Sequence, residues 1–215
     1  MITERPADRF LFVSGGYDQR VSENVSYHTQ LSALAESLGL KHATAKTVVS
    51  ALAIPQEIDV LFLLSVPGSF KTILLSSASL LVYTPLHEHF GIVPLEAMLA
   101  GTTVLAANEG GPTETVIDGK TGWLRDVEKV EDWTSIMQSV LDGSVPPDVL
   151  RKMGEAGTWR VKELFSKENM AESFEAEIDS IMTTRRPPVI TIDMWVAGGL
   201  AASGLVALCS FLLSR

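Results

Sequence analysis

Residues 79–101, SLLVYTPLHEHFGIVPLEAMLAG, decide the fold class of this chain. A short apolar run ends at Pro85, a loop then carries Glu88 between two histidines, and a helical pattern runs to Gly101. A strand, a loop and a helix in this order form the repeating unit of a parallel α/β sheet. The same stretch holds a second carboxylate, Glu96, in the helical pattern.

The rest of the chain repeats this alternation of strand and helix. Apolar runs predict strands at 9–18, 58–66, 79–84, 102–107 and 122–124, and periodicity predicts helices at 24–38, 69–78, 93–100, 129–141, 147–165 and 167–182. The segment 42–58 fits either a helix or an irregular insertion. We therefore expect an α/β fold with a Rossmann-like parallel sheet covered by helices on both faces.

Composition excludes several classes of function. The chain has 215 residues and a net charge of −9, without a cluster of lysine and arginine, so nucleic acid is not an expected partner. Its single cysteine, Cys209, excludes an intramolecular disulfide and a cysteine-based zinc site. The chain also lacks a Walker A sequence and a G-x-S-x-G elbow, which disfavours a P-loop NTPase or a serine hydrolase.

The C-terminal segment predicts a membrane anchor. Residues 194–213 carry no charge, and as a helix rising about 1.5 Å per residue they span roughly 30 Å, the thickness of the hydrocarbon layer. A buried core helix is the alternative interpretation. The predicted organisation is an irregular N-terminus at 1–8, a domain at 9–184, a linker at 185–188 and a transmembrane helix at 189–213. Arg185 and Arg186 precede the anchor and favour a cytosolic domain.

A ligand site is expected beyond the carboxyl ends of the strands, where open α/β sheets bind their ligands. Gly15 and Gly16, the loop 85–93 and the segment 108–112 all follow predicted strands. The free N–H groups of a helix beginning near Gly91 and Pro94 suit a phosphate or diphosphate. A carboxylate in the first turn, Glu96, is placed to accept hydrogen bonds from a ribose diol, and Glu88 lies further along the ligand. The pattern therefore predicts a site for a nucleotide diphosphate that bears a sugar.

Simpler interpretations of these residues stay open. Glu96 and Glu114 are also explained as acids that favour the dipole of a helix start. His87 and His89 alternate on a loop, without the helical spacing or third ligand of a metal site, so no metal is predicted. Either histidine is compatible with a phosphate contact or with solvent exposure. Gly110 and Gly111 form a second glycine-rich entry into a helix and are candidates for contact with the same ligand.

These motifs resemble a known family. Glu88-x7-Glu96 with FGIVPLEAM inside it, followed by NEGGPTETVIDGKTGWL, resembles the C-terminal nucleotide-binding domain of retaining GT-B glycosyltransferases over most of residues 9–182. VSGGYDQRVSENVSYHTQL and YTPLHEHFGIVPLEAM are more closely similar to the α-1,3/1,6-mannosyltransferase subfamily that assembles the dolichol-linked precursor of N-glycans.

The resemblance implies a role for each matching position. Glu96 would hold the ribose, and Glu88, the implied catalytic residue, would contact the donor sugar near its anomeric carbon without acting as a nucleophile. Ser65 would approach the base. The backbone of Phe90, Gly91, Ile92 and Val93 would hold the diphosphate and the sugar hydroxyls. The other predicted donor-binding residues, which come from the sequence pattern itself, are Gly15, Gly16, His89, Gly110 and Gly111.

The resemblance also implies substrates and partners. The donor would be GDP-mannose, with no further cofactor, and the acceptor a lipid-linked oligosaccharide at the cytosolic face of the endoplasmic reticulum membrane. The family carries an N-terminal Rossmann domain and a preceding strand and loop that this sequence does not show. We therefore expect either the donor-binding half of a transferase or a binding module that needs a partner subunit. A nucleotide-sugar epimerase or a phosphorylase is a third interpretation, disfavoured by the predicted anchor.

Overall fold

The computed structural model describes residues 10–55 and 57–184 of the chain. The chain divides into two compact units, one that ends at Ser166 and one that begins at Lys167. The predicted anchor at 189–213, the linker at 185–188 and the irregular N-terminus at 1–8 lie outside the described residues. Within the described ranges, no helix has the length and apolar character needed to cross a membrane.

Strands and helices alternate through the first unit as the sequence predicts. The strands are β1 (Leu11–Gly15), β2 (His42–Ala45), β3 (Val60–Leu64), β4 (Leu81–Tyr83), β5 (Val104–Ala107) and β6 (Gly122–Arg125). The helices are α1 (Ser22–Ser37), α2 (Val48–Leu52), α3 (Gly68–Ser77), α4 (Ile92–Leu99), α5 (Pro112–Thr115), α6 (Val130–Leu141) and α7 (Pro147–Leu164), and α8 (Lys167–Thr183) is the described part of the second unit. The ambiguous segment 42–58 contains both a strand and a short helix.

All strand pairs in the described structure are parallel, and they form two sheets rather than the single sheet expected. The strand order is β1-β3-β2 in the first sheet and β4-β5-β6 in the second. The central strands β3 and β5 are the most deeply buried, because helices cover both of their faces. β5 is fully buried along its length, with Val104 and Ala106 facing one side and Leu105 and Ala107 the other.

The helix α7 fixes the position of α4 against the second sheet. Gly154 and Gly157 of α7 lie against α4 and the turn that follows it, so closely that a Cβ atom on Gly154 would stand 1.9 Å from the carbonyl oxygen of Gly101. The Thr158 hydroxyl donates to the Met98 carbonyl at 2.7 Å. Because α4 carries the second half of the predicted site, this contact holds the site to the core.

Candidate functional site

The loop between β4 and α4 holds Glu88 by several hydrogen bonds. Its Oε2 accepts from the Tyr83 hydroxyl at 3.0 Å, and its Oε1 accepts from the Phe90 backbone N–H at 3.3 Å. The Phe90 N–H, then the Tyr83 hydroxyl, lower the pKa of Glu88 below its ordinary value. Burial, with the Glu88 carboxylate next, raises the pKa of Tyr83 to about 12. At neutral pH the loop therefore presents a carboxylate beside a neutral phenol.

A second loop, 108–111, closes onto the first. The Gly111 N–H donates to the Glu88 carbonyl at 2.7 Å. A Cβ atom on Gly110 would lie 2.3 Å from that same carbonyl oxygen, and one on Gly111 would lie 2.3 Å from the Phe90 Cα. Gly110 also adopts a φ of +59°, in the left-handed region. Both glycines are therefore required by close backbone contact, and the structure joins the two predicted segments.

Glu109 adds a third carboxylate at this junction. Its Oε1 accepts from the His87 backbone N–H at 3.2 Å and lies 2.6 Å from the His87 Nδ1. His87 itself adopts a φ of +56°. Both histidines are exposed, and the pairing of His87 with Glu109 is what distinguishes it from His89. Among the described residues, no group of three His, Cys, Asp or Glu side chains is placed to hold a metal ion.

The helix α4 begins at Ile92, and Gly91 at its N-terminus adopts a φ of +77°. No side chain caps this end by a hydrogen bond. The free N–H groups of the first turn are therefore available to an anion. The expectation that Glu96 lies in the first turn is wrong, because the left-handed Gly91 starts the helix earlier than the sequence pattern indicates. A dipole contribution, which is confined to the first turn, no longer explains Glu96.

Glu96 is paired with a lysine that the sequence interpretation missed. The Lys71 Nζ on α3 lies 2.6 Å from the Glu96 Oε1, and each side chain is about one-third exposed. The Glu96 Oε2 atom is buried and has no hydrogen-bond partner in the described part of the chain. Buried carboxylate oxygens normally accept a hydrogen bond, so a hydroxyl donor in this crevice would satisfy the atom. Lys71 gives no signal in the sequence because it lies on a different helix, far from Glu96 along the chain.

Gly15, Gly16 and Ser65 meet at the carboxyl end of the first sheet. The Ser65 N–H donates to the Gly15 carbonyl at 3.0 Å, and its hydroxyl oxygen accepts from the Tyr17 N–H at 2.8 Å. Ser65 adopts a φ of +57°, so its side chain turns back toward the β1 loop. An open cleft of about 440 Å³ lies here. Its walls include Tyr17, Arg20, Lys46 and Ser65.

The C-terminal end of α7 supports both loops of the second sheet. The Phe165 ring packs edge-on against the Phe90 ring with centroids 6.0 Å apart. The Arg160 guanidinium donates to the Glu114 and Thr115 carbonyls at 2.7 and 2.9 Å and lies over the Phe165 ring. Glu114 lies in the first turn of α5, as the capping interpretation predicted. The sequence did not predict the roles of Arg160 and Phe165, because the pattern of an amphipathic helix does not indicate which remote loop the helix will contact.

Comparison with known proteins defines the class. Residues 38–160 match the family model described as glycosyl transferases group 1. The chain therefore belongs to the group 1 glycosyltransferase family.

Its curated relatives carry a more particular name. The chain is 58% identical over 171 residues to alpha-1,3/1,6-mannosyltransferase alg-2 of Neurospora crassa, and the aligned segment covers 79% of the chain and 36% of that protein. It is 46% identical over 178 residues to the protein of the same activity from Schizosaccharomyces pombe, covering 81% of the chain and 35% of that protein. The chain thus spans about a third of the length of the curated relatives it matches.

Solved structures agree on the fold. Sucrose-phosphate synthase from Thermosynechococcus elongatus superposes with a TM-score of 0.61 at 24% identity, over 80% of this chain and 38% of that one. At this identity the likeness supports the Rossmann-like fold expected from the sequence and no finer property.

Proposed function

We propose that this chain is the donor-binding part of a retaining mannosyltransferase that transfers mannose from GDP-mannose to a dolichol-diphosphate-linked oligosaccharide. One observation carries the proposal. The loops 85–91 and 108–111 join at the uncapped start of α4, with Glu88 in the first loop and Glu96 further along the helix. The names of the relatives that match most of the chain supply the sugar and the linkages, α-1,3 and α-1,6.

The helix start offers electrostatic stabilisation to a leaving diphosphate. Backbone N–H groups in the first turn of α4 carry partial positive charge, and they need no reorganisation when negative charge develops on the leaving group. Gly91, Ile92 and Val93 provide this backbone. His89 and Phe90 lie just before it, and Gly110 and Gly111 close the other side.

Glu88 is proposed to act on the sugar side of the diphosphate. Hydrogen bonds from the Phe90 N–H and the Tyr83 hydroxyl keep it ionised, so it presents negative charge at neutral pH. A carboxylate near the anomeric carbon stabilises the oxocarbenium-like charge of glycosyl transfer. In this proposal the departing diphosphate takes the acceptor proton, the anomeric configuration is retained, and Glu88 is not a nucleophile.

The nucleoside is proposed to lie between Glu96 and the end of the first sheet. The unpartnered Oε2 of Glu96 supports a hydrogen bond from a ribose hydroxyl. The cleft beside Ser65, with Gly15 and Gly16 at the end of β1, supports a place for the base. No cofactor or metal ion enters the proposal.

The membrane and the acceptor are proposed as partners of the longer protein of which this chain matches a part. We place it at the cytosolic face of the endoplasmic reticulum membrane, anchored by residues 189–213, with the acceptor bound by an N-terminal domain or partner subunit. Because the chain spans about a third of its relatives, a binding module of a split transferase is the second candidate. Mannosyl transfer by the chain alone would exclude the module interpretation.

Calorimetric titration tests the donor site. GDP, GDP-mannose and UDP-N-acetylglucosamine are titrated into the detergent-solubilised chain, alone and co-expressed with the part of the Neurospora crassa relative outside the matched segment. We expect selective guanine-nucleotide binding that is weakened about tenfold in Glu96→Gln, the effect of one hydrogen bond to a charged group. Equal binding of all three ligands, or of none in either sample, contradicts the proposal.

A further inference from the structure

Lys71 reaches the Glu96 carboxylate from the neighbouring helix α3. Leu75 of α3 and Leu95 of α4 belong to one buried cluster, which packs the two helices together. Lys71 precedes Leu75 by four residues, so both side chains lie on the face of α3 that meets α4. The Thr102 hydroxyl, shortly after α4, donates to the Leu75 carbonyl and adds a polar contact to this packing. The position of the Lys71 ammonium is therefore set by the core beside the second sheet.

The two oxygens of the Glu96 carboxylate have different surroundings. Oε1 lies 2.6 Å from the Lys71 Nζ, a short contact between opposite charges. Oε2 is buried and has no hydrogen-bond partner among the described residues. A ribose diol carries two O–H donors, and a carboxylate has two oxygens to accept them. In this arrangement the ammonium occupies one oxygen and the other is screened from solvent, so a diol can use both oxygens only if Lys71 moves.

The Lys71 ammonium also lies near the uncapped start of α4. Helical side chains lean toward the N-terminus of their helix, so the Glu96 carboxylate reaches back toward the first turn. One helical turn is about 5.4 Å long, a distance that the flexible four-carbon stem of lysine can cover. The Lys71 side chain is 38% exposed, which leaves room for the ammonium to turn. An anion held by the N–H groups of Ile92 and Val93 is thus within reach of this ammonium.

Charge balance gives the movement a direction. A carboxylate close to a diphosphate repels it, and an ammonium between the two offsets the repulsion. When a ribose hydroxyl replaces the ammonium on Oε1 of Glu96, the half-buried Lys71 loses its counter-charge, which is unfavourable. The diphosphate of the same ligand supplies a new counter-charge at the start of α4. The cost of leaving Glu96 is therefore offset for a ligand that carries both a ribose and a diphosphate.

We propose that Lys71 is a donor-binding residue that moves from Glu96 to the diphosphate when a ribose diol binds to Glu96. This exchange rests on the proposed function, because both concern the same nucleoside diphosphate site. The exchange makes recognition of the ribose and of the diphosphate interdependent, since a nucleoside without phosphates meets a carboxylate that Lys71 still holds. It applies to any nucleoside diphosphate and does not depend on the identity of the base.

Paired titrations test the exchange. GDP, guanosine, UDP and uridine are titrated into the detergent-solubilised chain, alone and co-expressed with the part of the Neurospora crassa relative outside the matched segment. Ligand-observed NMR measures the weakly bound nucleosides. We expect Lys71→Met to weaken binding of the preferred diphosphate about tenfold, the loss of one charged contact. The matching nucleoside should bind at least as tightly as it binds the unsubstituted chain, because Glu96 is then free of its cation.

Two further variants separate the exchange from a structural role. Lys71→Arg keeps the positive charge and should retain diphosphate affinity to within about threefold. Lys152→Met breaks an exposed ion pair on α7 and should leave the binding of all four ligands unchanged. A loss of structure at the site would weaken the diphosphate and the nucleoside together, whereas the exchange predicts that only the diphosphate is weakened.

The outcomes also separate the exchange from the choice of GDP-mannose as donor. Preference for UDP over GDP contradicts that donor, and Lys71 is then judged on UDP and uridine. Equal weakening of diphosphate and nucleoside in Lys71→Met, or unchanged diphosphate binding, overturns the exchange while guanine selectivity still supports the donor. Absence of binding by all four ligands in both samples overturns both proposals.

Discussion

The Tyr83 hydroxyl donates a hydrogen bond of 3.0 Å to the Glu88 Oε2, across the loop that begins where β4 ends. The tyrosine is half-buried in the second sheet and packs against its main core cluster, so the position of the loop carboxylate is set by the core. The glycines of the neighbouring loop hold the Glu88 backbone, as Tyr83 holds its side chain.

Replacing Tyr83 by Phe is expected to raise the pKa of Glu88. The largest cause of the lowered value, the Phe90 N–H, remains, so the pKa returns only partly toward its usual range. Carboxyl-carbon NMR titration measures it. Because the carboxyl pKa is lower in the folded state than in the unfolded state, ionised Glu88 stabilises the fold at pH values above the unfolded-state pKa. This contribution is lost as the pH falls through the folded-state pKa. The exposed Tyr27→Phe is the control, and an unchanged Glu88 pKa in Tyr83→Phe would show that the hydroxyl does not hold the carboxylate.

Alkaline titration should show that the Tyr83 phenol ionises unusually late. Its pKa is raised to about 12, so its phenol stays neutral when an ordinary tyrosine has ionised near pH 10. The folded state then binds more protons than the unfolded state, and stability falls as pH rises from about 10 to about 12. Phenolate absorbance should show a late transition that Tyr83→Phe removes. A tyrosine spectrum that titrates completely near pH 10 is incompatible with this burial.

The ion pair of Lys71 and Glu96 should contribute to the stability of the fold. Lys71→Met is expected to lower the free energy of unfolding by about 1 kcal/mol, because it leaves a half-buried carboxylate without its cation. Urea denaturation measures the change. The matched control is Lys152→Met, which breaks an exposed pair at 3.4 Å and should cost under about 0.5 kcal/mol. Equal costs for the two variants would remove any special role for the Glu96 pair.

Gly110→Ala should be far more damaging than Gly119→Ala. Both glycines have a positive φ, +59° and +72°, so both substitutions carry backbone strain of about 1 kcal/mol. Only at Gly110 would the added Cβ meet a backbone atom, the Glu88 carbonyl oxygen, and only there do we expect a total loss of about 3 kcal/mol or more. Thermal unfolding of the two variants gives the comparison. Similar losses would mean that the loops separate at little cost.

Much of the site is readable from local sequence. The end of the strand is marked by Pro85, and the start of the helix is marked by Gly91 and the apolar run after Gly91. These local signals place Glu88 on the loop between the two elements. Hydrophobic periodicity places the start of α4 too late, since a left-handed glycine begins the helix at a point that periodicity does not mark. The segment 42–58 stayed ambiguous because short apolar runs satisfy helical and strand patterns alike.

Local chemistry in the sequence determined the α/β alternation, the glycine turns and the two carboxylates, because each depends on residues within a few positions of one another. Tertiary structure alone decided that Lys71 meets Glu96, that Phe165 meets Phe90 and that the strands divide into two sheets. These outcomes depend on how crossovers and packed helices bring remote segments together.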